Sequence, residues 1–450
     1  MTRLTSFAVR RRDPELVGPA TPTPRETKRL SDIDDQIGLR WHMPLVFFYR
    51  GRGGDDHDDP VRVVRRALGE ALVPYYPLAG RLREELEEDG SNKKLVVDCT
   101  GEGVVFVEAD AAVRLAELEA AGLLRPPFPR MDQLLFADAD GCDGAVLGTA
   151  LLVVQVTRLL CGGFVLALRL NHTLCDAAGI AQFLSAVGEL AHGVPGAPAV
   201  APVWRRELLD ARAPPRPSFP HPEYDVLAAE SPPSPPPEET DMVMRTFTFA
   251  PTDIAGIKQR LPRRLEATTT FEAVTAALWR ARTAALDLPP GDATRLIVVA
   301  GVRGVRELGI PAGYYGNACV FPAAVAAAGE LRSRSLADAV ELVREAKNAA
   351  ASAEYVRSSV DALVLRGRPR PPLANLLLVA DNRRAGYHRA DFGWGRPVYA
   401  GPAAASFVSS YLVAVGNGDV SVAVVLPRRA MERFASELEL LLVKGHQSRL

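Results

Sequence analysis

The sequence predicts a mixed α/β (α+β) protein with two domains of similar make-up. Its 450 residues exceed what one hydrophobic core usually holds, so two domains of about 200 residues each are expected. Thirteen of its 36 prolines lie between Pro195 and Pro237, where they prevent regular structure over most of that length. Predicted strands and helices are mixed on both sides of this stretch. We therefore expect an N-terminal domain at residues 1–195, a proline-rich crossover linker at 196–240 and a C-terminal domain at 241–450.

Composition and charge exclude several classes of function. Hydrophobic residues make up 48% of the chain and charged residues 24%, as in an ordinary soluble globular protein. The formal net charge of −1 gives no bulk field that would attract nucleic acid or an anionic membrane. No stretch reaches the roughly 20 apolar residues of a membrane span. Five scattered cysteines without a Cys-x-x-Cys pair argue against a disulfide framework and predict a reducing compartment.

Regular structure in the first half begins with a helix. Asp59 followed by Pro60 places a capping carboxylate before a proline that suits the first helical position. A turn-like segment at 74–82 follows. Leu95–Cys99 and Val104–Val107 are then apolar runs around a glycine-containing turn, and they predict a hairpin.

A second predicted hairpin leads into the most reactive stretch of the sequence. Ala150–Leu160 and Phe164–Leu170 are strand-like runs joined by two glycines. The pattern then breaks into a short polar turn that carries His172 and Asp176, and helical spacing begins at Ala177. His172 therefore lies at a strand-to-helix junction, where a scaffold often presents reactive groups.

His172 is the candidate catalytic base. An imidazole with an ordinary pKa near 6.5 is suited to take a proton from a hydroxyl group at neutral pH. Asp176 either orients this imidazole as the second member of a dyad or pairs with an arginine and holds the loop, because an i,i+4 spacing does not guarantee facing side chains across a turn. The spacing alone also fits a polar turn with a satisfied histidine.

Other catalytic motifs are missing from the sequence. It contains no Gly-x-Ser-x-Gly elbow of a serine hydrolase and no Gly-x-x-x-x-Gly-Lys phosphate loop. Its seven histidines are far apart, without a cluster of metal-ligand spacing. We therefore expect neither a metal-dependent nor a nucleotide-hydrolysing mechanism.

The second half alternates predicted strands and helices. Thr269 and Glu272 have the spacing of a capping box, which predicts a helix through Trp279. Ser335 opens an amphipathic pattern that runs to Tyr355. The remaining predicted elements are a strand that contains Phe247 and Phe249, strands at Leu296–Val299 and Leu376–Val379, a hairpin of Phe407–Val415 with Val420–Leu426, and a last helix from Ala430 to about Val443.

Three separated segments together resemble the plant BAHD acyl-CoA-dependent acyltransferases. These are His172-x-x-x-Asp176 with Gly179, the motif Asp391-Phe392-Gly393-Trp394-Gly395, and Tyr315-Gly316-Asn317 between them. Their occurrence in order is far more specific than any single motif. Within the family the chain looks most like the benzyl alcohol O-benzoyltransferases, on the segments Pro14–Val17, Pro22–Pro24, Leu30–Asp35 and Gly313–Ala318.

The resemblance implies a fold and a reaction. The fold would be two domains like chloramphenicol acetyltransferase with a channel between them, and a segment near 396–418 would pack with the first domain. The small-molecule partners would be an acyl-CoA co-substrate and an alcohol, with no bound cofactor or metal, and the protein would be a monomer. His172 would deprotonate the alcohol, and the alkoxide would attack the thioester carbonyl.

The resemblance also implies roles for individual residues. Asp176 and Gly179 would be structural, as would Asp391, Gly393, Trp394 and Gly395. Asp391 would bridge to an arginine, with Arg303 the first candidate and Arg306 the second. Relatives have Arg-x-Arg where this chain has two residues between its arginines, so both candidates stay open. The substrate pocket would include Trp41, His42, Tyr315 and Asn317, although core packing explains Trp41 and His42 as well.

Two further features affect the expected substrate and location. After Pro402 the chain lacks a glycine-rich insert that relatives carry, so substrate shape could differ, and a non-catalytic ligand-binding relative is conceivable.

Ser448-Arg449-Leu450 is a conservative variant of the Ser-Lys-Leu peroxisomal address, which would engage the import receptor. Peroxisomal benzoyl-CoA and benzyl alcohol would then give benzyl benzoate, feeding salicylic acid formation. Another donor, such as acetyl-CoA or a hydroxycinnamoyl-CoA, with an aliphatic, phenolic or terpenoid alcohol is the alternative.

Overall fold

The computed structural model divides the chain into two compact units. Unit 1 comprises Met1–Ala211, Gly309–Ala318 and Ala385–Ala404, and unit 2 comprises Arg212–Leu308, Cys319–Arg384 and Ala405–Leu450. The residues that the structure describes are 7–52, 58–86, 93–137, 146–193, 198–225 and 241–443. The predicted tail signal at Ser448-Arg449-Leu450 and residues 226–240 of the predicted linker lie outside them.

Both units mix strands and helices, which confirms the predicted α/β class. The strands are β1 (Val9–Arg11), β2 (Glu15–Val17), β3 (Thr27–Arg29), β4 (His42–Tyr49), β5 (Arg81–Leu86), β6 (Lys93–Asp98), β7 (Val104–Ala111), β8 (Leu152–Leu159), β9 (Phe164–Asn171), β10 (Met242–Phe249), β11 (Ala293–Gly301), β12 (Cys319–Val320), β13 (Ala323–Ala327), β14 (Leu376–Asp381), β15 (Tyr399–Pro402), β16 (Ser409–Ala414) and β17 (Val420–Pro427). The helices are α1 (Pro60–Ala71), α2 (Leu115–Ala120), α3 (Met131–Leu134), α4 (Ala177–Ala191), α5 (Pro251–Gln259), α6 (Thr270–Ala285), α7 (Ala328–Ser333), α8 (Leu336–Ala349), α9 (Ala353–Leu365) and α10 (Arg428–Val443).

The main sheet of unit 1 carries the polar turn that follows β9. Its strand order is β1-β7-β8-β9-β4-β15, with β2 also paired to β7. Strands β8 and β9 form the predicted antiparallel hairpin, and β4 pairs antiparallel with β9 on the other side. Helices α1 and α4 pack against each other, and α1 also contacts β8. Asp59 caps α1 as predicted, since its carboxylate accepts a hydrogen bond from the Val61 amide.

The predicted hairpin of Leu95–Cys99 with Val104–Val107 is wrong. Both segments are strands, but β6 pairs with β3 and β5 in a separate three-stranded sheet, whereas β7 pairs with β1, β2 and β8. Gly101 and Gly103 both have positive φ between these strands, and Gly103 donates its amide hydrogen to the carbonyl of Ala79. The turn therefore leads the chain from one sheet into another.

The sheet of unit 2 has the order β10-β17-β16-β14-β11-β12, with β13 also paired to β11. Strands β11, β14 and β16 run parallel, and β16 with β17 forms the predicted hairpin. The Thr269–Glu272 capping box opens α6 as predicted. The single helix predicted from Ser335 to Tyr355 is wrong, because α8 ends at Ala349 and the hydroxyl of Ser352 caps a new helix, α9. No helix in the described ranges is long and apolar enough to cross a membrane.

Candidate active site

His172 begins the polar turn between β9 and α4. Its backbone amide donates to the carbonyl of Trp41 at 2.9 Å, which ties the turn to the start of β4. Asn171, the last residue of β9, accepts hydrogen bonds from the amide and hydroxyl of Thr173 through its side-chain oxygen, at 3.2 and 2.8 Å. An Asn side chain that bonds the backbone two residues on stabilises a tight turn. The strand and the turn together therefore fix the backbone of His172.

Asp176 is the N-cap of α4. One oxygen of its carboxylate accepts from the amide of Gly179 at 2.9 Å, and the other accepts from the amide of Ala318 at 3.0 Å. The carboxylate thus satisfies a free amide of the first helical turn and holds the segment 309–318 against it. Gly179 allows the same close approach, because a Cβ at this position would lie 2.0 Å from the carbonyl oxygen of Tyr315.

Asn317 joins this segment to the turn that carries His172. Its side-chain nitrogen donates to the carbonyls of His172 at 2.9 Å and Thr173 at 3.3 Å, and to the carboxylate of Asp34 at 2.8 Å. Asn317 is fully buried, so these bonds are shielded from water. Tyr315 is buried as well, in ring contact with Tyr75.

The other two pocket candidates keep surface exposed. Trp41 is 38% exposed, and its ring centroid lies 6.0 Å from that of His172. His42 lies opposite Asn171 in the sheet, and its Nε2 lies 3.1 Å from the carbonyl oxygen of Ala150. Burial lowers the pKa of His42, and the nearby charge of Arg169 lowers it further. The exposed side of the turn is thus bordered by aromatic rings.

The electrostatic setting of His172 favours its neutral form. Burial lowers the pKa of His172 below its ordinary value, and this effect outweighs its own carbonyl, the carboxylates of Asp176 and Asp34, and Asn317, which all act in the opposite direction. A neutral imidazole has a free lone pair and can accept a proton at neutral pH. Within the described ranges, no group of three His, Cys, Asp or Glu residues could hold a metal ion.

The Asp391 motif lies at the other end of β9. One oxygen of Asp391 accepts from the amides of Gly393 and Gly395 at 2.8 and 2.9 Å, and both glycines have positive φ. Trp394 donates from its indole to the carbonyl of Gly162, just before β9 begins. The eight residues of β9 put roughly 25 Å between this loop and His172, at about 3.3 Å per residue. The motif therefore shapes a loop remote from the turn that carries His172.

The pairing of Asp391 with Arg303 or Arg306 stays a prediction. Asp391 belongs to unit 1, and both arginines belong to unit 2, where they follow β11. Within unit 1, Nε2 of His192 lies 3.9 Å from the carboxylate of Asp391.

Sequence reasoning missed two charged residues at the site. Asp34 and Arg206 form a fully buried ion pair at 2.8 Å, and Asp34 contacts Asn317. Asp34 stands in an acidic run and Arg206 in the predicted linker, so nothing local to either residue shows that they meet. Their separation of 172 positions explains why spacing could not identify them.

Comparisons with known proteins find a matching family and similar full-length relatives. A family model described as the Transferase family matches residues 7–441. A benzyl alcohol O-benzoyltransferase of Petunia hybrida is 46% identical over 97% of this chain and 94% of that protein. Alcohol acyl transferase 1 allele GSa of Malus domestica is 46% identical over 98% of this chain and 95% of that protein.

Two solved structures share the fold. Vinorine synthase superposes with a TM-score of 0.73 at 22% identity, covering 97% of this chain and 98% of that chain. F. graminearum TRI101, complexed with ethyl coenzyme A, superposes with a TM-score of 0.72 at 15% identity, covering 92% of this chain and 97% of that chain.

Proposed function

Because the chain belongs to the BAHD acyltransferase family and is therefore an acyl-CoA-dependent acyltransferase that acts on alcohols, we propose that it transfers benzoyl from benzoyl-CoA to benzyl alcohol. The observation that carries the reaction is the imidazole of His172, which is held on a fixed turn with part of its surface exposed and whose pKa is lowered by burial. This substrate pair is favoured because the relatives from Petunia hybrida and Nicotiana tabacum are both named benzyl alcohol O-benzoyltransferases.

The reaction follows from a single proton acceptor. His172 takes the hydroxyl proton of the alcohol as its oxygen attacks the thioester carbonyl. The tetrahedral oxyanion then collapses, the carbon–sulfur bond breaks, and the imidazolium returns its proton to the leaving thiolate. The products are an ester and free CoA, and His172 ends neutral as it began. The lowered pKa of His172 keeps the base unprotonated at neutral pH, ready for the first step.

The remaining predicted residues act around this base. Asp176 and Gly179 hold the segment 309–318 against α4, and the Asp391 motif shapes its remote loop. Trp41 borders the base on its exposed side and contacts the acceptor alcohol in our proposal. A flat indole beside the imidazole suits an aromatic alcohol such as benzyl alcohol.

A screen of donors against acceptors tests the substrate pair. Purified protein is incubated with benzoyl-CoA, acetyl-CoA or a hydroxycinnamoyl-CoA, each with benzyl alcohol, an aliphatic alcohol or a phenol, and ester is measured by mass spectrometry. We expect the highest kcat/KM for benzoyl-CoA with benzyl alcohol, and no ester from His172→Ala. Ester from acetyl-CoA but none from benzoyl-CoA would refute the pair. No ester from any donor would favour a non-catalytic ligand-binding protein.

A second substrate class has its own support. The Malus domestica relative is named an alcohol acyl transferase and matches this chain at the same 46% identity as the Petunia hybrida relative. Acetyl-CoA with an aliphatic alcohol is therefore the competing pair. The choice of alcohol in the screen distinguishes the two substrate pairs, because an aliphatic alcohol lacks the ring that Trp41 would contact.

We also propose that the protein is imported into peroxisomes through Ser448-Arg449-Leu450. A fluorescent fusion that keeps these residues at its end should appear in peroxisomes of plant cells, where benzoyl-CoA would be its donor. A matched fusion without the tripeptide should remain in the cytosol. Identical distribution of both fusions would exclude this address. If both fusions remain in the cytosol, the ester forms outside the peroxisome, away from salicylic acid formation.

A further inference from the structure

Unit 2 contains a buried arginine without an acidic partner. Arg282 lies in the last turn of α6 and is only 4% exposed. Among the residues that the structure describes, its one hydrogen bond runs from Nη2 to the carbonyl of Leu376 at 3.4 Å, and no carboxylate forms an ion pair with it. This distance exceeds the usual range of N–H···O bonds in proteins. The positive charge of Arg282 is therefore almost unsatisfied by the chain.

Other buried cations of this protein show the usual arrangement. Arg206 contacts Asp34 at 2.8 Å, and Lys94 contacts Asp32 at 3.0 Å. Such pairing is expected, because removing a charge from water is costly unless an opposite charge or several hydrogen bonds replace the water. Burial lowers the pKa of Arg282 to about 9, and no charge in the described part of the chain acts against this effect. A cation retained in this state indicates a site for an anion from outside the chain.

The geometry of the guanidinium leaves an edge free. Its central carbon, Cζ, lies 4.4 Å from the ring centroid of Phe407, so the aromatic ring covers one face of the group. The N–H groups of an arginine point outward in its plane, in a fixed fork. Whichever hydrogen of Nη2 is bonded to Leu376, one edge of the fork keeps two parallel donors. Such an edge matches the two oxygens of a carboxylate.

The stretch that covers Arg282 borders solvent. Phe407 itself is half-buried, and Ser406 beside it is exposed. The hydroxyls of Ser406 and Ser409 lie 2.7 Å apart, and the amide of Ser406 donates to the carbonyl of Ser409 at 3.1 Å. These bonds form a short turn at the start of β16. The guanidinium therefore lies under a thin cover rather than deep within the core of unit 2.

We propose that unit 2 binds a small monocarboxylate, which passes Phe407 and forms a two-point ion pair with Arg282. A single positive charge selects a singly charged ligand. A phosphate monoester carries a charge of about −1.5 to −2 at pH 7 and would leave negative charge uncompensated in a buried place. The inference does not rest on the proposed function, because it involves neither His172 nor acyl transfer. Benzoate and acetate serve as probes of different size.

Isothermal titration calorimetry on the full-length protein tests the site. Wild type should bind benzoate or acetate once per chain, with a Kd of about 1 mM or tighter, and should give no heat with sodium chloride at equal ionic strength. Arg282→Met keeps a long side chain without the charge and should weaken binding at least tenfold. Arg282→Lys keeps the charge without the fork and should weaken it about three- to tenfold. Binding of neither acid to wild type overturns the proposal.

Arg280→Met is the matched control. Arg280 lies on the same helix, but its guanidinium already donates to the carbonyls of Arg332 and Arg334. This variant should bind the carboxylate with wild-type affinity. Equal weakening in Arg280→Met and Arg282→Met would mean that only the overall charge of the protein matters, and it would overturn the site. Tighter binding of inorganic phosphate than of either acid would overturn the assigned ligand class.

Thermal unfolding supplies a second measurement. Without ligand, Arg282→Met should melt at or above the wild-type temperature, because it replaces an unpaired buried charge by an apolar side chain. The bound acid at ten times its Kd should raise the melting temperature of wild type by about 2–4 °C and leave that of Arg282→Met unchanged. An equal rise in both overturns the proposal. If Arg282→Met melts lower or does not fold, Arg282→Lys decides: wild-type affinity in that variant overturns the proposal, and the expected loss supports it.

Discussion

Two histidines, one in each unit, have opposite surroundings. In unit 2, Nδ1 of His221 lies 3.0 Å from the carboxylate of Glu223, and its Nε2 lies 2.9 Å from the hydroxyl of Ser358. These are the contacts of a hydrolase triad. Among the residues that the structure describes, none has a carboxylate bonded to the ring of His172 in unit 1, yet His172 is the proposed base. Contact pattern alone would have selected His221 rather than the proposed base.

Access and free lone pairs explain the difference. The hydroxyl oxygen of Ser358 already accepts from the amides of Ser218 and Phe219 at 2.8 and 3.0 Å, so its proton is donated to His221. The three side chains of the cluster are fully buried, and no substrate can reach the hydroxyl. The cluster therefore fastens the chain before β10 to α9. A reactive imidazole needs exposed surface and an unused lone pair, which the turn after β9 provides.

Replacing each histidine by glutamine should separate the two roles most strongly. His172→Gln should reduce kcat by roughly 10²- to 10⁴-fold, the usual contribution of a general base, without changing the melting temperature. His221→Gln should leave kcat of the folded protein within about twofold. Ester formation and thermal unfolding are measured on the same preparations. A His172→Gln enzyme that keeps a tenth of wild-type kcat would contradict the mechanism.

Removing the ring of His221 should mainly cost stability. His221→Leu leaves a buried oxygen of Glu223 and the hydroxyl of Ser358 without their partner, which should lower the free energy of unfolding by about 2–4 kcal/mol. Urea denaturation followed by circular dichroism reports the loss. His172→Leu is the matched control and should lower this free energy by less than about 1 kcal/mol. Equal losses in both variants would mean that the two environments do not differ as described.

Asp176→Ala should show that this carboxylate supports the turn. The substitution removes the N-cap of α4 and leaves the amide of Ala318 without its acceptor, so about 2 kcal/mol of stability and part of the soluble yield should be lost. Ser352→Ala removes a cap alone, at the start of α9, and should cost about 1 kcal/mol. The measurement is urea denaturation of both variants. If Asp176→Ala lowers the free energy of unfolding no more than Ser352→Ala does, the hydrogen bond from the amide of Ala318 contributes nothing to stability.

Local patterns in the sequence predicted the positions of strands and helices better than they predicted which strands pair. Alternation located β9 and the hairpin of β16 with β17, and a Thr–Glu spacing located α6. The predicted pairing of β6 was wrong, because alternation of apolar residues does not indicate which strand lies alongside. The predicted end of the helix that begins after Ser335 was also wrong, because the cap at Ser352 interrupts an otherwise continuous pattern. Pairing is decided by tertiary contacts that a local window does not contain.

The site shows the same limit. His172 could be predicted because strand, turn and helix follow one another within a few residues. Asp34, Arg206 and Asn317 could not be grouped, since they are far apart in the chain and meet only through folding. The general statement is that spacing reveals groups on one element, whereas buried networks join several elements.

The pH dependence of stability should give the smallest effect. Burial lowers the pKa of folded His172, whereas an unfolded histidine titrates near 6.5. Between these two values the unfolded chain binds the extra proton, so the contribution of His172 is fully present above about pH 6.5 and is lost as pH falls below it. The slope cannot exceed about 1.4 kcal/mol per pH unit. Urea denaturation of wild type and His172→Gln from pH 8 to 5 should show a flatter profile in the variant, and parallel profiles would mean that folded His172 titrates like an unfolded one.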